Sequence, residues 1–172
     1  MPTNDDFFKM GTWISSKFKY HKSSDFNKIK RAQVNHGEIW YCDLGYNIGE
    51  EKNKCRPVLV ISNNRINRTG KVIVACITDT NNKLNAQNLP AQDSWFLLYS
   101  ATTDDDKMIF PQRPIPNGQP TYAFLDKDSM VQCEEIRAVS KARLDMKQGC
   151  IGTLNPTHFS LIKQKLKRVF DI

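Results

Sequence analysis

Pro57-Val58-Leu59-Val60-Ile61-Ser62 and Lys71-Val72-Ile73-Val74-Ala75-Cys76-Ile77-Thr78 are runs of β-branched residues bounded by turn formers, and their reading decides the fold class. Asn63-Asn64 and Asn67-Arg68-Thr69-Gly70 separate them, so the link reads as a hairpin-like loop carrying Arg65 and Arg68. Upstream, Glu38-Ile39-Trp40-Tyr41-Cys42-Asp43-Leu44 is a third strand; downstream, Ser94-Trp95-Phe96-Leu97-Leu98-Tyr99 is a fourth. Pairing resumes over residues 121–125, 129–133 and 136–140. Between these lie an asparagine-rich stretch, the run Asp104-Asp105-Asp106, and Pro111, Pro114, Pro116 and Pro120, which keep the chain out of regular structure.

The two ends read as helices. Thr3 and Asp6 resemble a capping box, and Phe7, Met10, Ile14 and Phe18 follow at near-helical spacing, so an amphipathic helix is expected over residues 4–19. A shorter helical pattern follows over residues 24–33. This apolar stripe and Trp13 are expected to dock on the main body. At the other end Asn155 is placed as N-cap and Pro156 suits the first helical position, with Phe159, Ile162, Leu166, Val169 and Phe170 on one face. Lys163, Lys165, Lys167 and Arg168 then form a solvated face. Short, closely spaced strands followed by one helix imply a mainly β fold, a small, strongly curved antiparallel sheet or barrel with a C-terminal helix packed on it. Residues 1–35 form a helical N-terminal appendage, and residues 36–172 the main domain.

A chain of 172 residues, 40% hydrophobic and 25% charged, can hold one core without metal or disulfide. Its five cysteines are odd in number and never in a C-x-x-C pair, so reduced, mostly buried thiols are expected, with no zinc site. No stretch approaches the ~18–20 apolar residues of a membrane span, and the first residues are acidic where a signal peptide would be basic; a cytoplasmic location is the expectation. The formal charge of +7 resides at the ends: residues 1–33 carry seven Lys/Arg against three Asp, and residues 156–172 carry four against one. Nucleic acid is therefore a candidate partner, and any polyanion site in the balanced middle depends on placement.

No P-loop, dinucleotide fingerprint, G-x-S-x-G elbow or H-E-x-x-H occurs. Three histidines, His21, His36 and His158, are too scattered for an acid/base pair and read as structural or surface groups. The informative segment is Gly49-Glu50-Glu51-Lys52-Asn53-Lys54-Cys55-Arg56-Pro57, a charged loop delivering an arginine to the start of a strand. A guanidinium anchored there can be held rigidly and matches two oxygens of a phosphate; alternatively Arg56 merely pairs with Glu50 or Glu51.

Four ordered blocks resemble the MazF/PemK toxin family. They are residues 37–44, Gly49-x-Glu51 with Arg56-Pro57-Val58-Leu59-Val60-Ile61-Ser62-Asn63, Asn67-Arg68-Thr69-Gly70 with the strand ending at Thr78, and residues 128–144 with Ile136-Arg137 and Arg143-Leu144. The resemblance covers about residues 36–170 and implies a small SH3-like β-barrel. It also implies a homodimeric endoribonuclease of a toxin–antitoxin system, cutting single-stranded RNA at a short preferred sequence without metal or other cofactor. The family's catalytic arginine and threonine fall on Arg56 and Thr78, an acidic loop residue on Glu51, and an RNA contact on Arg137. Lys52, Lys54, Arg65 and Arg68 are added as RNA contacts from loop position and charge. Trp40, Tyr41 and Trp95 could stack bases, although strand aromatics more often pack in cores.

Metal-free RNA cleavage uses the substrate's 2′-hydroxyl as nucleophile, so the enzyme must assist removal of that proton, stabilise the phosphorane and protonate the leaving 5′-oxygen. Arg56, with a guanidinium that stays charged, stabilises the phosphorane; Thr78 donates its hydroxyl to the same oxygens; Glu51 is a possible base. The chain departs from short family members at Glu50, in an insertion around residues 80–125 and in residues 1–35. Two further readings compete. A related branch with the same barrel inhibits DNA gyrase through a C-terminal Trp-Gly-Ile, whereas this chain ends Val169-Phe170-Asp171-Ile172. A non-catalytic module would instead bind nucleic acid, such as operator DNA in complex with its antitoxin.

Overall fold

The computed structural model describes residues 3–22, 26–101 and 115–172; Ser24, Asp25, the Asp104-Asp105-Asp106 run, Pro111 and Pro114 lie outside the described residues. The described chain divides into two compact units, Met1–Cys76 with Glu135–Thr153, and Ile77–Glu134 with Leu154–Ile172. The elements are α1 (Asn4–His21), α2 (Phe26–Arg31), β1 (Glu38–Asp43), β2 (Cys55–Val60), β3 (Lys71–Asp79), β4 (Trp95–Ser100), β5 (Thr121–Tyr122), β6 (Ser129–Ser140), β7 (Cys150–Thr153) and α3 (Pro156–Phe170). Strand neighbours run β5-β4-β6-β3-β2-β1-β7.

In the first unit β2 is antiparallel to both β1 and β3, with Trp40 opposite Val58 and Val58 opposite Cys76. One face of these strands feeds a core of Val34, Trp40, Cys42, Leu44, Val58, Val60, Val72, Val74, Cys76, Val139 and Leu144. Successive strand residues point to opposite faces, so Ile39, Leu59 and Ala75, which share a register row, lie on the other. They too are fully buried. Burial on both faces is why residues 57–62 read as a continuous apolar run rather than an alternating one.

Several expectations need adjusting. The two strands expected over residues 129–133 and 136–140 are one twelve-residue strand, β6. β5 is two residues long and runs parallel to β4, a departure from the all-antiparallel reading. β7, four residues with only Ile151 and Gly152 between its ends, adds a strand that the sequence pattern does not mark. The link between β2 and β3 contains a 3-10 turn, Ile66–Arg68, whose Asn67 is buried and bonded through its amide to Ser62 O (3.1 Å).

α1 carries the expected capping box in full: Thr3 N donates to Asp6 Oδ2 (2.8 Å) and Asp6 N to Thr3 Oγ1 (3.3 Å). Its docking differs from expectation. Phe7, Phe8, Met10, Ile14 and Phe18 are exposed, and the helix is held by another face. Tyr46 Oη donates to Asp6 Oδ1 (2.8 Å), Tyr20 Oη donates to Asp43 Oδ2 (2.8 Å), and Trp13 lies 4.9 Å from the Arg143 guanidinium. Gly45 sits at φ +86° beneath the Trp13 ring, where an added Cβ would come within 2.5 Å of ring carbons. Near the end of α2, the buried Lys141 ammonium donates to the Lys30 and Ala32 carbonyls (3.3 and 2.6 Å), and burial pushes its pKa down.

In the second unit α3 begins as expected, with Asn155 Oδ1 accepting from Thr157 N (2.8 Å) and Pro156 in the first turn. His158, Phe159 and Ile162 are buried. His158 is structural: its ring nitrogens meet Tyr122 Oη (2.8 Å) and Gln119 Oε1 (3.0 Å), and its edge meets Phe96. The basic face is partly paired, since Lys165 and Arg168 both reach Asp93 (3.1 and 3.6 Å). Trp95 is buried in β4 with its indole N–H given to Glu134, as Trp40 in β1 gives its own to Glu38 (2.9 Å). These two strand aromatics are core residues, not stacking platforms.

Candidate active site

The loop from Leu44 to Lys54 closes on itself before delivering Arg56. Leu44 N donates to Lys54 O (2.9 Å) and Lys54 N to Gly45 O (2.8 Å), pairing the two ends of the loop. Inside that ring Asn47 Nδ2 donates to Leu44 O (3.0 Å) and Lys52 O (2.7 Å), while Asn47 N donates to Asn53 Oδ1 (2.6 Å). An asparagine amide used this way stands in for missing backbone partners, and Gly49 (φ +62°) and Lys54 (φ +66°) supply the left-handed turns.

Arg56 lies opposite Cys42 in the β1–β2 ladder and is partly buried. Its Nε donates to Asn53 O (2.9 Å), so the loop that precedes the arginine also fixes its guanidinium. Glu51 does not take up Arg56 as its ion partner: its Oε2 accepts from Arg137 Nη2 on β6 at 3.2 Å. Glu51 is mostly exposed, whereas Arg137 is mostly covered.

Cys76 reports how these charges are gathered. Burial first, then the Glu135 carboxylate, pushes its thiol up to about 11, and Arg137, Arg56 and Lys52 oppose the shift as nearby cations. Three of the expected site residues therefore act on one buried group of the first unit, with Glu51 tied to one of them. Lys54 lies elsewhere, lining a cleft against α1 with Phe8, Thr12, Trp13 and Tyr46. Arg65 and Arg68 are exposed in the link beyond the far end of β2 from Arg56. Thr78 is partly buried near the end of β3, in the part of that strand assigned to the second unit.

Three contributors escaped the sequence reading. Asn47 and Asn53 organise the loop, and the signal for them was an asparagine between Gly45 and Gly49 and another one residue before the left-handed Lys54. Glu135, next to Cys76 in charge terms, had no signal beyond its place before Ile136-Arg137.

Residues 35–170 match the family model described as PemK-like, MazF-like toxin of type II toxin-antitoxin system. The chain is 29% identical over 140 residues to endoribonuclease MazF9 of Mycobacterium tuberculosis, covering 79% of this chain and 95% of that protein. Among solved structures it is similar to an endoribonuclease in complex with its cognate antitoxin from a mycobacterial species, at TM-score 0.51 and 20% identity over 81% of this chain and 96% of that one. It is also similar to a MazE-MazF complex from Deinococcus radiodurans, at TM-score 0.50 and 12% identity over 82% and 99% of the two chains. These structural likenesses show the fold, the mainly β arrangement that the four sequence blocks imply.

Proposed function

The chain belongs to the PemK-like, MazF-like toxin family of type II toxin–antitoxin systems, and from that premise we propose an endoribonuclease that cuts single-stranded RNA through the substrate's own 2′-hydroxyl, without metal. The observation that carries this reading is Arg56 held at the loop–strand junction by its Nε bond to Asn53 O, with the Arg137–Glu51 pair in the same unit. A phosphodiester brings negative charge that increases as the phosphorane forms, and preorganised cations stabilise that increase at no cost in reorganisation.

In the proposed step the 2′-oxygen attacks phosphorus and loses its proton to a base, the P–O5′ bond breaks, and the 5′-oxygen leaves by taking a proton from solvent water. The products are a 2′,3′-cyclic phosphate and a 5′-hydroxyl. Arg56 holds the non-bridging oxygens, its planar fork matching two of them. Thr78 donates its hydroxyl to the same oxygens, the role that the family's catalytic threonine carries onto this position. Glu51 serves as the base. An incoming phosphate competes for Arg137, and that exchange releases the Glu51 carboxylate from its ion pair.

Lys52 and Arg137 hold the RNA backbone on either side, and Lys54, Arg65 and Arg68 contribute outlying contacts. The protein acts in the cytoplasm as a homodimer, and a cognate antitoxin neutralises it by laying an acidic segment over the Arg56 cluster. Operator DNA is bound by the toxin–antitoxin complex. The test is an RNA with a single 2′-deoxy sugar at the mapped scissile nucleotide. Cleavage at that position is expected to vanish while neighbouring sites are still cut; cleavage that persists there overturns the 2′-hydroxyl step.

A further inference from the structure

Phe7, Met10, Ile14 and Phe18 of α1 are exposed by 65, 47, 47 and 62%. Their spacing, i, i+3, i+7 and i+11, makes one stripe along roughly 16 Å of helix. The contacts that hold α1 to the first unit use Asp6, Trp13 and Tyr20, on a different face, so docking leaves the stripe open. We propose that this stripe is a self-association surface, on which α1 of a second copy packs antiparallel. The proposal stands apart from the ribonuclease reading and from any association through other faces of the chain.

The pattern of sizes selects the arrangement. With the two helices antiparallel about a two-fold axis between residues 12 and 13, Phe7 of each copy lies level with Phe18 of the other. Ile14 lies level with Gly11, where an added Cβ would meet open space. Large side chains thus meet either each other at the ends or a notch in the middle, as ridges-into-grooves packing requires. Met10, 47% exposed, falls level with the small Ser15 of the second copy. A parallel pair would set Gly11 against Gly11 and leave a void at the centre.

Charge agrees with the same direction. The first turn of α1 carries Asp5 and Asp6 and the last turn carries Lys19 and His21. Antiparallel packing opposes the two helix dipoles and brings each N-terminal turn, where Asp6 is bonded to Tyr46 and Asp5 to Lys9, toward the other copy's basic end, whereas parallel packing stacks like on like. The four stripe residues expose roughly 500 Å² per copy, or roughly 1,000 Å² for the pair, near the floor for a specific interface, so association in the micromolar range is expected. The contact is isologous and closes on itself.

The test is sedimentation equilibrium of the full chain at about 100 µM, well above that range. Wild type is expected to show close to twice the weight-average mass of the Phe7→Glu or Phe18→Lys variant, both surface substitutions checked for folding by circular dichroism. Mixing the two variants is the decisive arm. In the antiparallel register Glu at 7 meets Lys at 18 while the other end keeps Phe against Phe, so the mixture is expected to regain the wild-type mass. Equal masses for wild type and single variants overturn the proposal. So does a mixture that stays at the variants' mass, as would result if the stripe served a lipid surface or a different protein.

Discussion

α1 and α3 are both amphipathic helices with a satisfied N-cap, yet their apolar faces meet opposite fates. In α3 the stripe begins with Phe159 and Ile162, both buried. In α1 no residue is buried, the apolar stripe faces outward, and polar and mixed side chains such as Asp6, Trp13 and Tyr20 do the docking. Periodicity locates the apolar face of a helix; it does not say what covers it. Trp13 won the docking position because Gly45 offers a surface without a Cβ and Arg143, anchored by Nε to Asp43 O (2.7 Å), offers a cation for its ring.

The contrast can be broken by substitution. Ile162→Ala should destabilise the fold most, by about 2–5 kcal/mol, because it opens a cavity at a fully buried site; chemical denaturation followed by circular dichroism measures it. Trp13→Ala should cost about 1–2 kcal/mol, confined to α1, and appear as faster proteolysis after Lys17 and Lys19 with little change in the global midpoint. Phe18→Ser should change stability by no more than about 0.5 kcal/mol despite removing a phenyl ring, since that ring is exposed in the single copy. A cost comparable to that of Ile162→Ala would mean the two helices are buried alike.

Acid should separate the helices too. Burial pushes the pKa of His158, in the first turn of α3, below its ordinary 6.5, so the unfolded chain binds more protons there and stability falls as pH drops below about 6.5. Asp6 of α1, held down at about 2 chiefly by its hydrogen bonds from Thr3, keeps its contribution above about 3.8 and loses it as pH falls toward 2. Titration followed by Trp13 fluorescence and by the histidine resonances should therefore give two windows, the α3 one at higher pH.

Much of the molecule was legible because its signals are local. The β-branched runs of β2 and β3, the Thr3–Asp6 box and the Asn155-Pro156 start each depend on neighbouring residues alone. β7 was not legible, being four residues with a glycine and no alternation, stabilised by its ladder to β1. Nor was the partner of Glu51, since Arg137 is 86 positions away in sequence and only the strand order brings it near. In the site, Arg56 could be read from its place at a loop–strand junction, whereas the Asn47 and Asn53 bonds that fix it depend on the loop's closed path.

The central claim, that Arg56 organises metal-free RNA cleavage, is tested most directly by incubating wild type and Arg56→Ala with a long, unstructured RNA in EDTA and mapping the new ends. Wild type should cut at a recurring short sequence and leave 2′,3′-cyclic phosphates, with the variant, equally folded, slower by about 10²-fold or more. Undiminished cutting by the variant, or no cutting by wild type across varied RNAs, would contradict it.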